Sequence, residues 1–128
     1  MKPSLAVKWL AKTIRGERRA LERARCRFIR KPSEKNLHDV RTTGRRFRSL
    51  LEDVAELAAL ERLRRRVKRA AAATDAARDA TIILRLLESS IDTSEAAIGQ
   101  PLLERLREQE QLATRQARKE LRRMHFAP

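Results

Sequence analysis

A row of basic residues in the predicted second helix is the part of this sequence best suited to chemistry. Its members are His38, Arg41, Arg45 and Arg48. They are spaced by three, four and three residues, so a helix would place them along one face. At about 1.5 Å per residue the row is roughly 15 Å long. Because like charges at this spacing repel each other, we interpret the row as a binding surface for a polyanion.

A second concentration of positive charge lies in the predicted third helix. Six of the eight residues from Arg62 to Arg69 are basic, and they would occupy all sides of a helix. Arg64 and Lys68 each follow an apolar position by one residue, as the row in the second helix does. One residue corresponds to about 100° around a helix, so both sets would border the core. We therefore predict a groove whose two walls are basic helices.

The composition favours a helical protein. Of the 128 residues 41% are hydrophobic and 38% charged, with only three glycines and four prolines. Chains rich in Ala, Leu, Arg and Glu form helices readily. We predict an all-α protein, with a single domain over residues 1–128 that forms an antiparallel bundle of four to five helices.

The first two predicted helices meet at Pro32. We expect the first helix to run from Pro3 to about Arg30, and Ser33 to cap the second. The second helix has the strongest apolar periodicity in the chain, which indicates a face packed into a helical core. Its apolar positions are Leu37, Val40, Gly44, Phe47, Leu51, Val54 and Leu57.

The remaining sequence predicts three further helices. The third would span about Leu57 to Ala73, and Thr74 or Asp75 would cap a fourth. The fourth helix is expected to bury Ala76, Ile83, Leu86 and Leu87. Residues 90–100 indicate a connection, and the last helix is expected from Pro101 to about Met124. In that helix acidic and basic residues alternate, so we expect the excess positive charge to lie on the middle helices.

The net charge of +14 restricts the class of partner. Nucleic acid, inorganic polyphosphate, an anionic membrane and an acidic protein are all compatible with it. The first sixteen residues are basic and acid-free, which permits a membrane-surface helix, but we interpret them as the first helix of the bundle. The sequence has no apolar run that could span a membrane, and because Lys8 and Lys12 interrupt its first apolar stretch we do not expect a signal peptide there. The lone Cys26 favours a reducing cytoplasm, and we expect no metal, cofactor or catalytic nucleophile.

The segment from His38 to Leu51, HDVRTTGRRFRSLL, resembles the motif of the conserved histidine α-helical domain, CHAD. That motif has His, two residues, Arg, three residues, and then Arg-Arg-apolar-Arg. A second stretch is similar: Arg64, Arg65 and Lys68, followed by Ala77-Arg78-Asp79. Ala80-Thr81-Ile82 replaces the Leu-Asp-Val that follows in most members, so the second motif is half met. The resemblance covers about residues 33–87.

The resemblance implies a non-catalytic domain that binds inorganic polyphosphate, in bacteria often at polyphosphate or storage granules. The implied binding residues are His38, Arg41, Arg45, Arg46, Arg48, Arg64, Arg65, Lys68 and Arg78. Family members typically contain two helical bundles with basic residues in the gap between them, and this chain resembles the first bundle. A homodimer would supply the opposing wall.

Two other functions are compatible with parts of the pattern. His38-Asp39-Val40-Arg41 also resembles histidine phosphotransfer domains, but these usually have Lys and Gly where this chain has Arg41 and Thr42. A nucleic-acid-binding bundle fits the charge. Base stacking, however, needs aromatic residues, and the chain contains one Trp, three Phe and no Tyr.

Overall fold

The computed structural model describes residues 4–54, 58–91 and 96–126. These residues form four helices and contain no strand, which confirms the all-α prediction. The helices are α1 (Leu5–Arg30), α2 (Glu34–Asp53), α3 (Ala58–Ser90) and α4 (Ala96–Arg122). Each helix packs on the next one along the chain, and α4 also packs on α1. Because the connections are short, consecutive helices are antiparallel.

The predicted boundary between the first two helices is confirmed. The Ser4 hydroxyl accepts a hydrogen bond from the Val7 N–H at 3.2 Å, which caps α1. Lys31 is extended, and the Ser33 hydroxyl then accepts from the Asn36 N–H at 3.1 Å to cap α2. Each hydroxyl satisfies an N–H that has no partner within its own helix.

The predicted break at Thr74 or Asp75 is wrong, because α3 is a single helix of 33 residues. Its buried residues recur every three or four positions across the expected break: Leu63, Val67, Ala70, Thr74, Ala77, Thr81 and Leu84. The Thr74 hydroxyl donates to the Ala71 carbonyl within the helix at 2.9 Å, so it does not act as an N-cap.

The burial predicted for the C-terminal half of α3 is also wrong. Ala76, Ile83 and Leu86 are exposed, and Leu87 is only partly buried. A cap at residue 75 would have allowed the helix to start a new apolar face. The continuous helix instead keeps the face set by Leu63 and Val67.

The last helix starts five residues earlier than predicted, at Ala96, and Pro101 lies inside it. Leu103, Ala117 and Leu121 are buried apolar residues of this helix. The predicted apolar position Leu57 lies outside the described residues.

Phenylalanine and leucine side chains form the centre of the bundle. The largest fully buried side chains include Phe28, Phe47, Leu51, Leu121 and Phe126. Phe126 follows the end of α4, and its backbone binds α1: its N–H donates to Glu22 Oε2 at 2.8 Å, and its carbonyl accepts from Arg18 Nε. The C-terminal segment thus closes the bundle next to α1.

Candidate functional site

A groove between α2 and α3 brings together most of the predicted binding residues. Its volume is about 1040 Å³. Apolar and small side chains contribute to its lining, among them Leu21, Val40, Gly44 and Ala71. The basic residues lie one position beyond the buried ones on each helix, so they form the walls, as the one-residue displacement predicted.

The α2 wall contains the predicted row and one further cation. His38, Arg41, Arg45 and Arg48 all line the groove. Lys35 also lines it and lies outside the row predicted from the sequence. It precedes His38 by three positions, so extending the row by one turn would have found it. The cations of α2 therefore follow the groove over roughly 20 Å.

The α3 wall contributes Lys68 and Arg78. Ala71 and Asp75 lie between them at spacings of three, four and three, and both also line the groove. The two cations share one face only because α3 continues through Thr74 and Asp75. A helix that restarted there would have lost this alignment.

Arg41 is held by the opposite wall. Its Nη1 atom donates to Thr74 Oγ1 and to Asp75 Oδ1, each at 2.8 Å. Thr74 is fully buried, whereas the Asp75 side chain is 59% exposed. The guanidinium is therefore held in place between α2 and α3. The sequence pattern predicted only a helix cap at Thr74 or Asp75 and did not indicate this contact with Arg41.

The basic residues of the groove differ in whether a carboxylate neutralises them. Arg48 donates to Glu52 Oε1 at 3.1 Å, and Arg41 is paired with Asp75. Lys35, Arg45, Lys68 and Arg78 have no side-chain hydrogen bond or ion pair to another described residue. These four cations are free to contact an anion.

His38 is exposed at the α2 wall, and its Nε2 atom lies 3.3 Å from Thr42 Oγ1. The second carboxylate of the groove, Glu34, is paired with Arg85 at 2.6 Å. His38 can thus offer a ring nitrogen to a ligand, and both carboxylates of the groove already have cationic partners.

Three predicted residues do not line the groove. Arg46 is exposed about 100° around α2 from Arg45. Arg64 and Arg65 both bind Glu61, at 2.7 Å and 3.2 Å. Hydrogen bonds from Arg64, and then from Arg65, lower the pKa of Glu61 to about 2. Glu61 therefore remains charged and partly neutralises both arginines.

The described residues contain no group of three or more His, Cys, Asp or Glu side chains that could hold a metal ion. None of the described helices is long and apolar enough to cross a membrane. The polar residues that line the groove are mainly lysine and arginine, which are hydrogen-bond donors with positive charge.

Comparison with known proteins identifies the family. The family model described as CHAD domain matches residues 8–127. No curated protein and no solved structure matches the chain. The match extends the motif-based resemblance, which covered residues 33–87, to the outer helices. The chain therefore belongs to the CHAD domain family.

Proposed function

We propose that this protein binds inorganic polyphosphate in the groove between α2 and α3. The observation that carries the proposal is the position of Lys68 and Arg78 across the groove from the α2 row. Cations on both walls can contact successive phosphates of a chain in the groove. A surface with the same charges pointing outward could not do this.

The side-chain chemistry of the groove suits a phosphate polymer. Arginine presents several donors in a rigid fork that matches phosphate oxygens, and it stays charged at any working pH. Four cations of the groove have no carboxylate partner that they would have to give up when they bind a phosphate: Lys35, Arg45, Lys68 and Arg78. Many weak contacts along a repeating polymer then add up, and the affinity should fall steeply with salt as counterions are released.

The described residues that line the groove include no Phe, Tyr or Trp, which favours polyphosphate over nucleic acid. Phe28, Phe47 and Phe126 are fully buried in the core. Stacking on aromatic side chains gives single-stranded nucleic acid much of its affinity. We therefore keep RNA as the second candidate and expect it to bind less tightly per phosphate.

We propose that the role is non-catalytic, because the ring of His38 contacts the Thr42 hydroxyl at 3.3 Å and the groove carboxylates Asp75 and Glu34 are paired with arginines. Incubation with a phosphorylated receiver domain tests this, and a label on His38 would contradict it.

We also propose a homodimer that closes the open side of the groove, and a cytoplasmic location at polyphosphate granules. Sedimentation with and without polyphosphate tests the dimer.

The first prediction concerns the free cations of the groove. Replacing Arg45, Lys68 and Arg78 with Gln should weaken polyphosphate binding roughly a hundredfold, since each contact contributes about 1 kcal/mol. Titrations over a range of salt concentrations should compare long polyphosphate, triphosphate and RNA. The variant should also show a shallower dependence of affinity on salt.

The matched control removes the same charge from α4 by replacing the exposed Arg105, Arg107 and Arg122 with Gln. Its polyphosphate affinity should fall only slightly, through the change in net charge. Equal losses in the two variants would show that binding depends on total charge and not on the groove. Tighter binding of RNA than of long polyphosphate at equal phosphate concentration would favour the second candidate.

A further inference from the structure

The largest excess of positive charge lies on α1 and not on the middle helices, so the expectation from sequence is wrong. Helix α1 contains nine Lys or Arg and two Glu, a net charge of +7, whereas α2 and α3 together contain thirteen Lys or Arg and eight acidic residues, a net charge of +5. None of the α1 cations lines the groove. The polyphosphate proposal therefore leaves this charge without a role.

Seven of these cations form one strip along α1. They are Lys8, Lys12, Arg15, Arg19, Arg23, Arg27 and Arg30, and all seven are exposed. Their spacings of three and four residues place them within a sector of about 120°. The strip is roughly 33 Å long. We call it the α1 strip.

The α1 strip has no carboxylate to neutralise it. None of its seven side chains forms a hydrogen bond or ion pair with another described residue. Glu22, at the edge of the strip, is bound to Arg25 and to the Phe126 N–H. Leu21 lies on the opposite side of the helix and reaches the lining of the groove. The strip and the groove are thus separate surfaces on opposite sides of α1.

Exposed apolar side chains lie at the N-terminal end of the same face. Leu5 is 84% exposed and Trp9 is 65% exposed. They are four residues apart, so they lie side by side on the helix, flanked by Lys8 and Lys12. Large apolar side chains beside lysines suit the interface of a bilayer, where Trp is enriched and Lys contacts anionic headgroups. A nucleic acid would give Leu5 no comparable contact.

We propose that the α1 strip docks the protein on an anionic lipid surface. The helix lies flat, its seven cations contact the headgroups, and Leu5 and Trp9 enter the interface. This surface acts independently of the groove, so a bound molecule can present the groove away from the membrane. The proposal does not rest on polyphosphate being the ligand of the groove.

Trp9 is the only tryptophan of the chain and therefore reports on its own surroundings. Its emission should shift to shorter wavelength when vesicles rich in phosphatidylglycerol are added, and an aqueous quencher should then reach it less. Vesicles of pure phosphatidylcholine should produce neither effect. Unchanged emission and quenching with phosphatidylglycerol vesicles would overturn the proposal, and this measurement needs no variant.

A pair of matched variants separates the two surfaces. Replacing Lys8, Lys12, Arg15 and Arg19 with Gln should lower vesicle binding roughly a thousandfold in cosedimentation, at about 1 kcal/mol for each charge. Replacing Lys35, Arg45, Lys68 and Arg78 removes the same charge from the groove and should leave most of the vesicle binding intact. Equal losses, or a larger loss in the groove variant, would overturn the proposal. The proposal would also be overturned if the wild-type protein did not bind vesicles and the α1 strip variant lost RNA binding.

Discussion

Asp75 lies on the same wall of the groove as Lys68 and Arg78, and it holds Arg41 at 2.8 Å. The carboxylate fixes the guanidinium, but it also places a negative charge where an anion would bind. Because its side chain is largely exposed, the ion pair adds at most about 1 kcal/mol to folding stability. The net effect of Asp75 on binding therefore depends on whether charge or positioning dominates.

We expect charge to dominate at this residue. Asp75→Asn keeps an acceptor for Arg41 and removes the charge, so polyphosphate affinity should rise about fivefold. Asp79→Asn is the matched control, because Asp79 is exposed outside the groove. Calorimetric titration of both variants measures the effect. Weaker binding by Asp75→Asn would mean that Asp75 mainly positions Arg41.

Glu22 makes folding stability dependent on pH. Burial raises its pKa, but hydrogen bonds from Arg25 and the Phe126 N–H outweigh this and hold the pKa below the ordinary 4.5. A lowered folded-state pKa means that the stabilisation is complete above the unfolded-state pKa and is lost as the pH falls through the folded-state value. Glu61, with a pKa of about 2, acts with the same sign.

Glu22→Gln should therefore make the free energy of unfolding depend less on pH in the acidic range. At neutral pH the variant should lose about 2 kcal/mol, because two hydrogen bonds to a charged acceptor are weakened. At about pH 3.5 its deficit relative to the wild type should be smaller. Urea unfolding at both pH values measures this. An equal deficit at the two values would show that the charge of Glu22 contributes nothing.

At the scale of the helices, continuity of α3 is the feature that shapes the groove. Its buried face repeats every three or four residues from Leu63 to Leu84. Lys68 and Arg78 follow that face by one position and so reach the same groove. The polar side chain of Thr74 can be buried because both hydrogen-bonding roles of its hydroxyl are filled. The hydroxyl donates to a backbone carbonyl of α3 and accepts a hydrogen bond from Arg41 Nη1.

The glycines test how tightly the helices are packed. A Cβ at Gly16 would meet nothing within 4 Å, and one at Gly44 would lie 3.8 Å from Leu21 Cδ1, an ordinary contact. Alanine at either position should raise the free energy of unfolding by about 0.5–1 kcal/mol, because glycine weakens a helix interior. Urea unfolding midpoints measure this. A lower free energy of unfolding in either alanine variant would contradict this packing.

Gly99 provides the opposite case within α4. A Cβ there would lie 2.5 Å from Ile91 Cδ1 and 3.0 Å from Cγ1, so the whole Ile91 side chain would have to move. Gly99→Ala should therefore lower the unfolding free energy by about 1–3 kcal/mol. The same urea experiment measures it, and stabilisation would show that Ile91 repacks freely.

For the whole molecule, binding is coupled to folding because the groove that holds the ligand exists only in the folded state. A ligand that binds only the folded state at a hundred times its Kd adds about 2.7 kcal/mol to stability. For a domain of this size long polyphosphate should then raise the Tm by roughly 10 °C. Thermal unfolding monitored by circular dichroism measures the shift. The variant of Arg45, Lys68 and Arg78 should show a much smaller one, and equal shifts would place the binding elsewhere.

The sequence alone predicted the features that depend on neighbours within a few residues. The spacing of Leu37, Val40 and Phe47 defined α2 and its buried face, because a helix repeats every 3.6 residues. Ser33 after Pro32 defined its start. The row from His38 to Arg48 has the same helical period, so most residues of the α2 wall of the groove could be predicted from the sequence.

Only the tertiary structure decided which distant residues meet. From the sequence, Thr74 and Asp75 have the residue types of a helix start. In the structure α3 continues through them, and both contact Arg41, more than thirty positions away in the sequence. Phe126 entered the core after the end of α4, where no periodicity marks it. Which cations are neutralised depends on carboxylates from other turns and other helices. Ion pairs and burial across the bundle are set by three-dimensional packing, which local spacing does not encode.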